Sequence, residues 1–207
     1  MDNQGCCKPD NSCSTTGGGS CGPSGGCCWS TLIKGAIVGG IVLFAWCWIS
    51  WTMLPWHKTT MMSFANEKAV ATVLGKEAEK SGIYVLPKMS DTATEAVKPY
   101  AFVSVVKDGI DWKTAKNPAM IKKGIVCLIV AFFLTCLLKK TSSGCCTIKA
   151  AGKVGVIAAL LAHAPNMIWF GFPLEYSLVG MADTLISVTL AGFFISKFVL
   201  GSGSCSK

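Results

Sequence analysis

The chain has 207 residues, 51% of them apolar and only 14% charged, with a formal charge of +8. That balance excludes an ordinary soluble domain of this size and points to an integral membrane protein. All nineteen basic residues are Lys. Lysines that flank apolar runs, with no Arg for bidentate phosphate or carboxylate recognition, argue against nucleic acid as a partner.

Residues 1–30 are rich in Gly, Ser and Cys. Such a stretch buries too little apolar surface to offset its ordering entropy, so it is expected to be a disordered cytoplasmic tail. It lacks the early apolar segment of a secretory signal peptide, and the first span is expected to act as an uncleaved signal anchor. The tail carries Cys6, Cys7, Cys13, Cys21, Cys27 and Cys28. Cys6, Cys7, Cys27 and Cys28 are candidate soft ligands for Zn²⁺ or Cu(I). The spacing contains no CxxC and no nearby His, so incidental thiols on a flexible tail are the preferred reading and no cofactor is expected. A second reading of the thiols is acylation of the juxtamembrane Cys27, Cys28, Cys145 and Cys146.

Residues 31–56 form the first expected transmembrane helix. The uncharged run Gly35–Trp56 is long enough for a hydrocarbon core of about 30 Å. Trp46, Trp48, Trp51 and Trp56 crowd its second half, where an aromatic belt would sit.

Residues 57–121 are expected to fold as a small α+β extracytoplasmic domain leaning on the membrane helices. Ser63 or Asn66 can cap a helix over 65–80, with Val70, Val73 and Leu74 on one face and Gly82 as its stop. Residues 83–86 read as a strand ended by Pro87, and residues 100–107 as a second strand. Asp108-Gly109 suits a tight turn, predicting a return strand over 110–112. His57, Met61 and Met62 together could hold Cu(I). Methionines beside an interface are more often plain apolar contacts.

Residues 122–200 carry three more expected spans. Gly124–Leu138 is short, but Lys122, Lys123, Lys139 and Lys140 can snorkel at its ends. Val154–Pro173 and Tyr176–Ser196 follow, and residues 201–207 form a second tail. The fold expected is therefore an all-α membrane bundle of four transmembrane helices with the α+β domain between helices 1 and 2. Lysines in the 139–153 loop, at 197 and 207, and at 8 and 34 place both termini in the cytoplasm by the positive-inside rule. No Cys lies between Trp56 and Ile121. Reduced thiols facing the cytoplasm agree with that orientation.

Pro55-Trp56-His57, followed by Ser81-Gly82-Ile83-Tyr84-Val85-Leu86-Pro87, resembles an uncharacterised family of small bacterial multi-span membrane proteins. The resemblance covers the first span and the start of the following segment. It implies a bacterial inner-membrane location and carries no activity with it.

Ionisable groups inside a span default to functional hypotheses. His163 and Asp183 fall at similar expected depths, roughly 15 and 18 Å from the inner face at the helical rise. Asn166 lies one turn outward of His163, and Pro165 frees a backbone carbonyl nearby. The trio is a candidate intramembrane polar site, either a proton relay or cation site, or a structural interhelical hydrogen bond. Gly35 and Gly39, then Ala151, Gly155 and Ala159, and Ala158 with Ala162, allow close helix approach within the chain or in a homo-oligomer. No P-loop, dinucleotide fingerprint, nucleophile elbow or HExxH is present, so no enzymatic activity is expected. The expected role is a scaffold or accessory subunit whose partners are the lipid bilayer and other membrane proteins. The alternatives are a small transporter or channel subunit using His163 and Asp183, and a metal-handling protein using the Cys tail.

Overall fold

The computed structural model describes residues 29–88, 98–141 and 144–201. The tail cysteines Cys6, Cys7, Cys27 and Cys28 lie outside them. Four helices are long and apolar enough to cross a membrane: α1 (Trp29–Thr52), α4 (Trp112–Lys139), α5 (Gly144–Phe170) and α6 (Leu174–Ile195), the last continued by a π-helical turn Ser196–Leu200. The chain is a multi-pass membrane protein. Between α1 and α4 lie α2 (Trp56–Thr59), α3 (Glu67–Glu77) and a two-stranded antiparallel sheet of β1 (Gly82–Leu86) and β2 (Ala101–Val105).

Close approach is built on small residues. A Cβ on Gly35 would overlap Thr135, and one on Gly39 would lie 2.7 Å from Ile195 Cδ1 and 2.9 Å from Ala131 Cβ. Gly40 meets Leu128 in the same way, at 2.7 Å. The glycine pair of α1 thus seats α4 and α6 within the chain. On the other side, Gly192 lies against Ala151, and Gly155 lies against Leu185. The pairs Gly35–Thr135 and Gly40–Leu128 run in opposite directions along α1 and α4, so the two helices are antiparallel. Leu43, Cys127, Ala131, Leu134, Leu138, Ala151, Val188, Ala191 and Ile195 form the core. They come from the C-terminal halves of α4 and α6 and the N-terminal half of α5, with Leu43 from α1.

Three features differ from the sequence expectation. The first span does not run unbroken to Trp56. Pro55 offers no N–H and disfavours a helical Leu54, so α1 stops at Thr52 and α2 starts after a turn. The second span is not limited to 124–138. Asp111 caps a helix that begins at Trp112, its carboxylate accepting from Lys113 N at 3.0 Å. The lysines between Trp112 and Lys123 hide those turns from an apolar-run search, yet Lys and Ala favour helix. Finally, the sheet pairs β1 with β2, Tyr84 opposite Val103, and residues 110–112 return no strand. Gly109 does form a turn, at φ 71° with its N–H on Val106 O, but that turn leads into α4.

Asn66 caps α3 by accepting from Ala69 N at 3.0 Å, and Ser63 does not take that role. The α3 helix ends at Glu77, ahead of Gly82, and buries none of its residues. Its C-terminal end is tied to the hairpin by Lys107, whose ammonium donates to Ala78 O and Glu79 O at 2.7 and 3.1 Å. Cations suit a helix C-terminus because unpaired carbonyls point there. The hairpin in turn touches the bundle through Phe102, whose ring lies 4.6 Å from Phe170 and 5.9 Å from Phe172.

Candidate functional site

The turn at Pro55 folds Trp56 and His57 back onto the end of α1. Ser50, one stripe back on α1, is fully buried at 0% exposure, and His57 is buried at 5%. Ser50 Oγ and His57 Nε2 are 3.0 Å apart, and Trp56 Nε1 donates to Ser50 Oγ at 3.1 Å. Trp51 stacks flat on the His57 ring, with centroids 4.1 Å apart and planes 7° apart. Across the helix contact, Trp46 Nε1 donates to Asp183 Oδ1 at 2.7 Å. Asp183 Oδ2 lies 3.6 Å from His57 Nε2, with the carboxylate side chain 19% exposed. Five side chains from α1, α2 and α6 therefore form one polar clasp.

Lipid makes such an arrangement costly to leave incomplete. An indole N–H or a carboxylate that enters hydrocarbon without a partner costs several kcal/mol at the order-of-magnitude level. Both indole N–H groups here meet an acceptor from another turn or another helix. Trp48 and Trp51 remain exposed in the manner of an aromatic belt, whereas Trp46 and Trp56 turn inward as donors.

Ser, His and Asp are the residue types of a nucleophilic triad, but the geometry is different. A triad places the carboxylate on the imidazole Nδ1 and the hydroxyl on Nε2. Here Ser50 and Asp183 both approach Nε2, and Ser50 already accepts from Trp56. The arrangement can position a charge and share a proton between His57 and Ser50. It does not present the hydroxyl to a substrate.

The expected pairing of His163 with Asp183 does not form. His163 Nε2 instead meets Thr184 Oγ1 at 3.1 Å, and the ring lies over Gly180, where a Cβ would be 2.6 Å from His163 Cε1. Residues 183 and 184 are adjacent and so point about 100° apart around the helix. Asp183 faces α1, and Thr184 faces α5. Ser177, on the Gly180–Thr184 stripe, is buried, and its hydroxyl has no hydrogen-bond partner among the described residues. Asn166 turns back on its own helix, donating to Ala162 O at 3.1 Å, and joins neither histidine.

Of the candidate soft ligands His57, Met61 and Met62, the two methionines are exposed and the histidine is buried. His57 Nε2 is directed at Ser50 and Asp183, while Met62 is 96% exposed. Among the described residues no group of three or more His, Cys, Asp or Glu could hold a metal ion. Sequence reasoning missed Trp46, Ser50, Trp56 and Thr184. The available signal was Pro55 between Ser50 and His57, since a turn there brings positions seven apart together.

No protein family, curated protein or solved structure shows a match to this chain.

Proposed function

We infer that this chain is a non-enzymatic scaffold or accessory subunit of a bacterial inner membrane. Both termini are cytoplasmic in this reading, and the segment between α1 and α4 is extracytoplasmic. One observation carries it: that segment leaves exposed the apolar side chains a self-sufficient domain would bury. Phe64 and Ile83 are exposed, as are Met62 and Ile110, and α3 buries nothing. Exposed apolar surface of this kind is characteristic of a surface that meets another protein. The clasp supports the same reading, because Asp183 is occupied in joining α1, α2 and α6.

The test is purification from native membranes in mild detergent, comparing the natural chain with a Met62→Ser, Phe64→Ser, Ile83→Ser variant. A scaffold brings a companion protein in fixed proportion, and the variant loses it. Recovery of the natural chain alone would discard this reading.

A proton- or cation-handling role is the second reading, and the 3.6 Å approach of His57 to Asp183 favours it. His57 is then the partner of Asp183 in place of His163. Under this reading Asp183→Asn abolishes ion-coupled flux in proteoliposomes while leaving the fold intact.

A further inference from the structure

Helix contacts place the α1–α2 corner along the membrane normal. A Cβ on Gly39 of α1 would lie 2.9 Å from Ala131 of α4, and the two helices are antiparallel. Eight residues further out on each helix, Cys47 is therefore level with Lys123. Lys122 and Lys123 are both exposed. Lysines at the end of a span stretch toward the interface, so the hydrocarbon of this leaflet ends within a lysine's length of that level. Met53 lies six residues beyond Cys47, about 9 Å further out at the helical rise. A head-group layer about 5–8 Å deep then takes in the corner.

Trp46 and Asp183 mark a second level through their 2.7 Å hydrogen bond. Met53 is about 10 Å outward of it along α1, and Leu174, the first residue of α6, about 14 Å outward along α6. The corner is thus recessed below the end of a neighbouring span. Nor does the chain leave the surface there. The turn at Pro55 sends α2 back, so that His57 meets Ser50 at 3.0 Å and stacks on Trp51. Ser50 and Trp51 are both nearer the bilayer midplane than Met53.

One side of this corner is filled by the bundle and the other is open. His57 is buried, whereas Trp51 is exposed and Met53 is 68% exposed. Their apolar surface continues that of Trp48 and Ile49 on the same span. An apolar surface at head-group depth, continuous with a lipid-facing helix and edged by indoles, is suited to the boundary between head groups and acyl chains.

We propose that the α1–α2 corner docks in the head-group layer of the leaflet at this end of the bundle, with Trp51 and Met53 seated on lipid. The partner is a lipid surface, and no particular head group is required. The docked turn pins the start of the segment between α1 and α4 to the membrane. This inference rests on the four-span architecture and not on the scaffold role, and Met53 is untouched in the triple variant that tests that role.

The full chain is reconstituted at one copy per phosphatidylcholine nanodisc with p-acetylphenylalanine in place of Met53. A nitroxide attached through the ketone leaves the natural cysteines unmodified. Its collisions with oxygen, which concentrates in hydrocarbon, are compared with those of a nickel chelate, which stays in water. The same label at Ile41 in mid-span and at Lys68 on α3 supplies the lipid and water references. The ratio at position 53 is expected to fall between the two references, at a depth of about 5–10 Å into the boundary. A ratio equal to that at Lys68 puts the corner in water and overturns the proposal. Loss of both kinds of collision means that protein covers Met53, and overturns it equally.

Discussion

Trp46 of α1 donates its indole N–H to the carboxylate of Asp183 on α6 at 2.7 Å, joining positions 137 residues apart. Asn at position 183 retains an acceptor for that N–H, whereas Ala does not. Asp183→Asn should therefore leave the fold near its natural stability, and Asp183→Ala should cost about 1–2 kcal/mol. Unfolding in mixed micelles measures both. In a double-mutant cycle with Trp46→Phe, the coupling should be about 0.6–1.7 kcal/mol. A coupling of zero would mean the bond contributes nothing to holding α1 on α6.

The glycines of α1 are predicted to be far less tolerant than those facing open space. A Cβ on Gly39 meets both Ile195 and Ala131 below 3 Å, while one on Gly152 meets nothing within 4 Å. Gly39→Val should destabilise the bundle by about 1–3 kcal/mol through overpacking. Gly152→Ala should be neutral or slightly stabilising, because Ala is the better helix former. Denaturation of the two variants side by side distinguishes packing from a general intolerance of substitution.

Phe102 is a point at which the hairpin rests on the bundle, its ring against those of Phe170 and Phe172. An aromatic pair contributes about 0.5–1.5 kcal/mol beyond its area. Phe102→Ala should therefore loosen β1 and β2 without unfolding the spans. Hydrogen exchange should rise across β1 and β2 and stay unchanged in α1 and α6. Equal acceleration everywhere would mean that the hairpin contact supports the whole fold.

The proposed orientation predicts that Lys88→Cys reacts with a membrane-impermeant maleimide in intact cells whose outer barrier has been opened. The natural chain should stay unlabelled until the inner compartment is also opened. The lysine and cysteine distributions both depend on this result, and labelling of Lys88→Cys only from the inner side reverses the assignment.

Much of the architecture was legible in the residue order. Apolar runs bounded by lysines located four helices because lipid imposes a length requirement that any spanning segment must meet alone. Asn66 as one of two candidate caps, beside Ser63, and residues 83–86 as a strand followed from local chemistry. The start of α4 was not legible, since Lys113, Lys116, Lys122 and Lys123 interrupt the apolar signal without interrupting the helix. The hairpin partner was misjudged because Asp108-Gly109 is a sound turn in either context, and only pairing with β1 decides its use.

The partner of Asp183 lay beyond any reading of the chain in order. That an ionisable group sits inside a span is a property of position and hydropathy, and residue order alone supplies it. Which histidine it meets depends on the rotation of α6 about its axis and on the turn at Pro55. A rotation of about 100° separates a residue that faces α1 from its neighbour that faces α5. Close packing of Gly39, Gly155 and Gly192 sets that rotation, so the tertiary contacts assign Asp183 to Trp46 and His57, and leave His163 to Thr184.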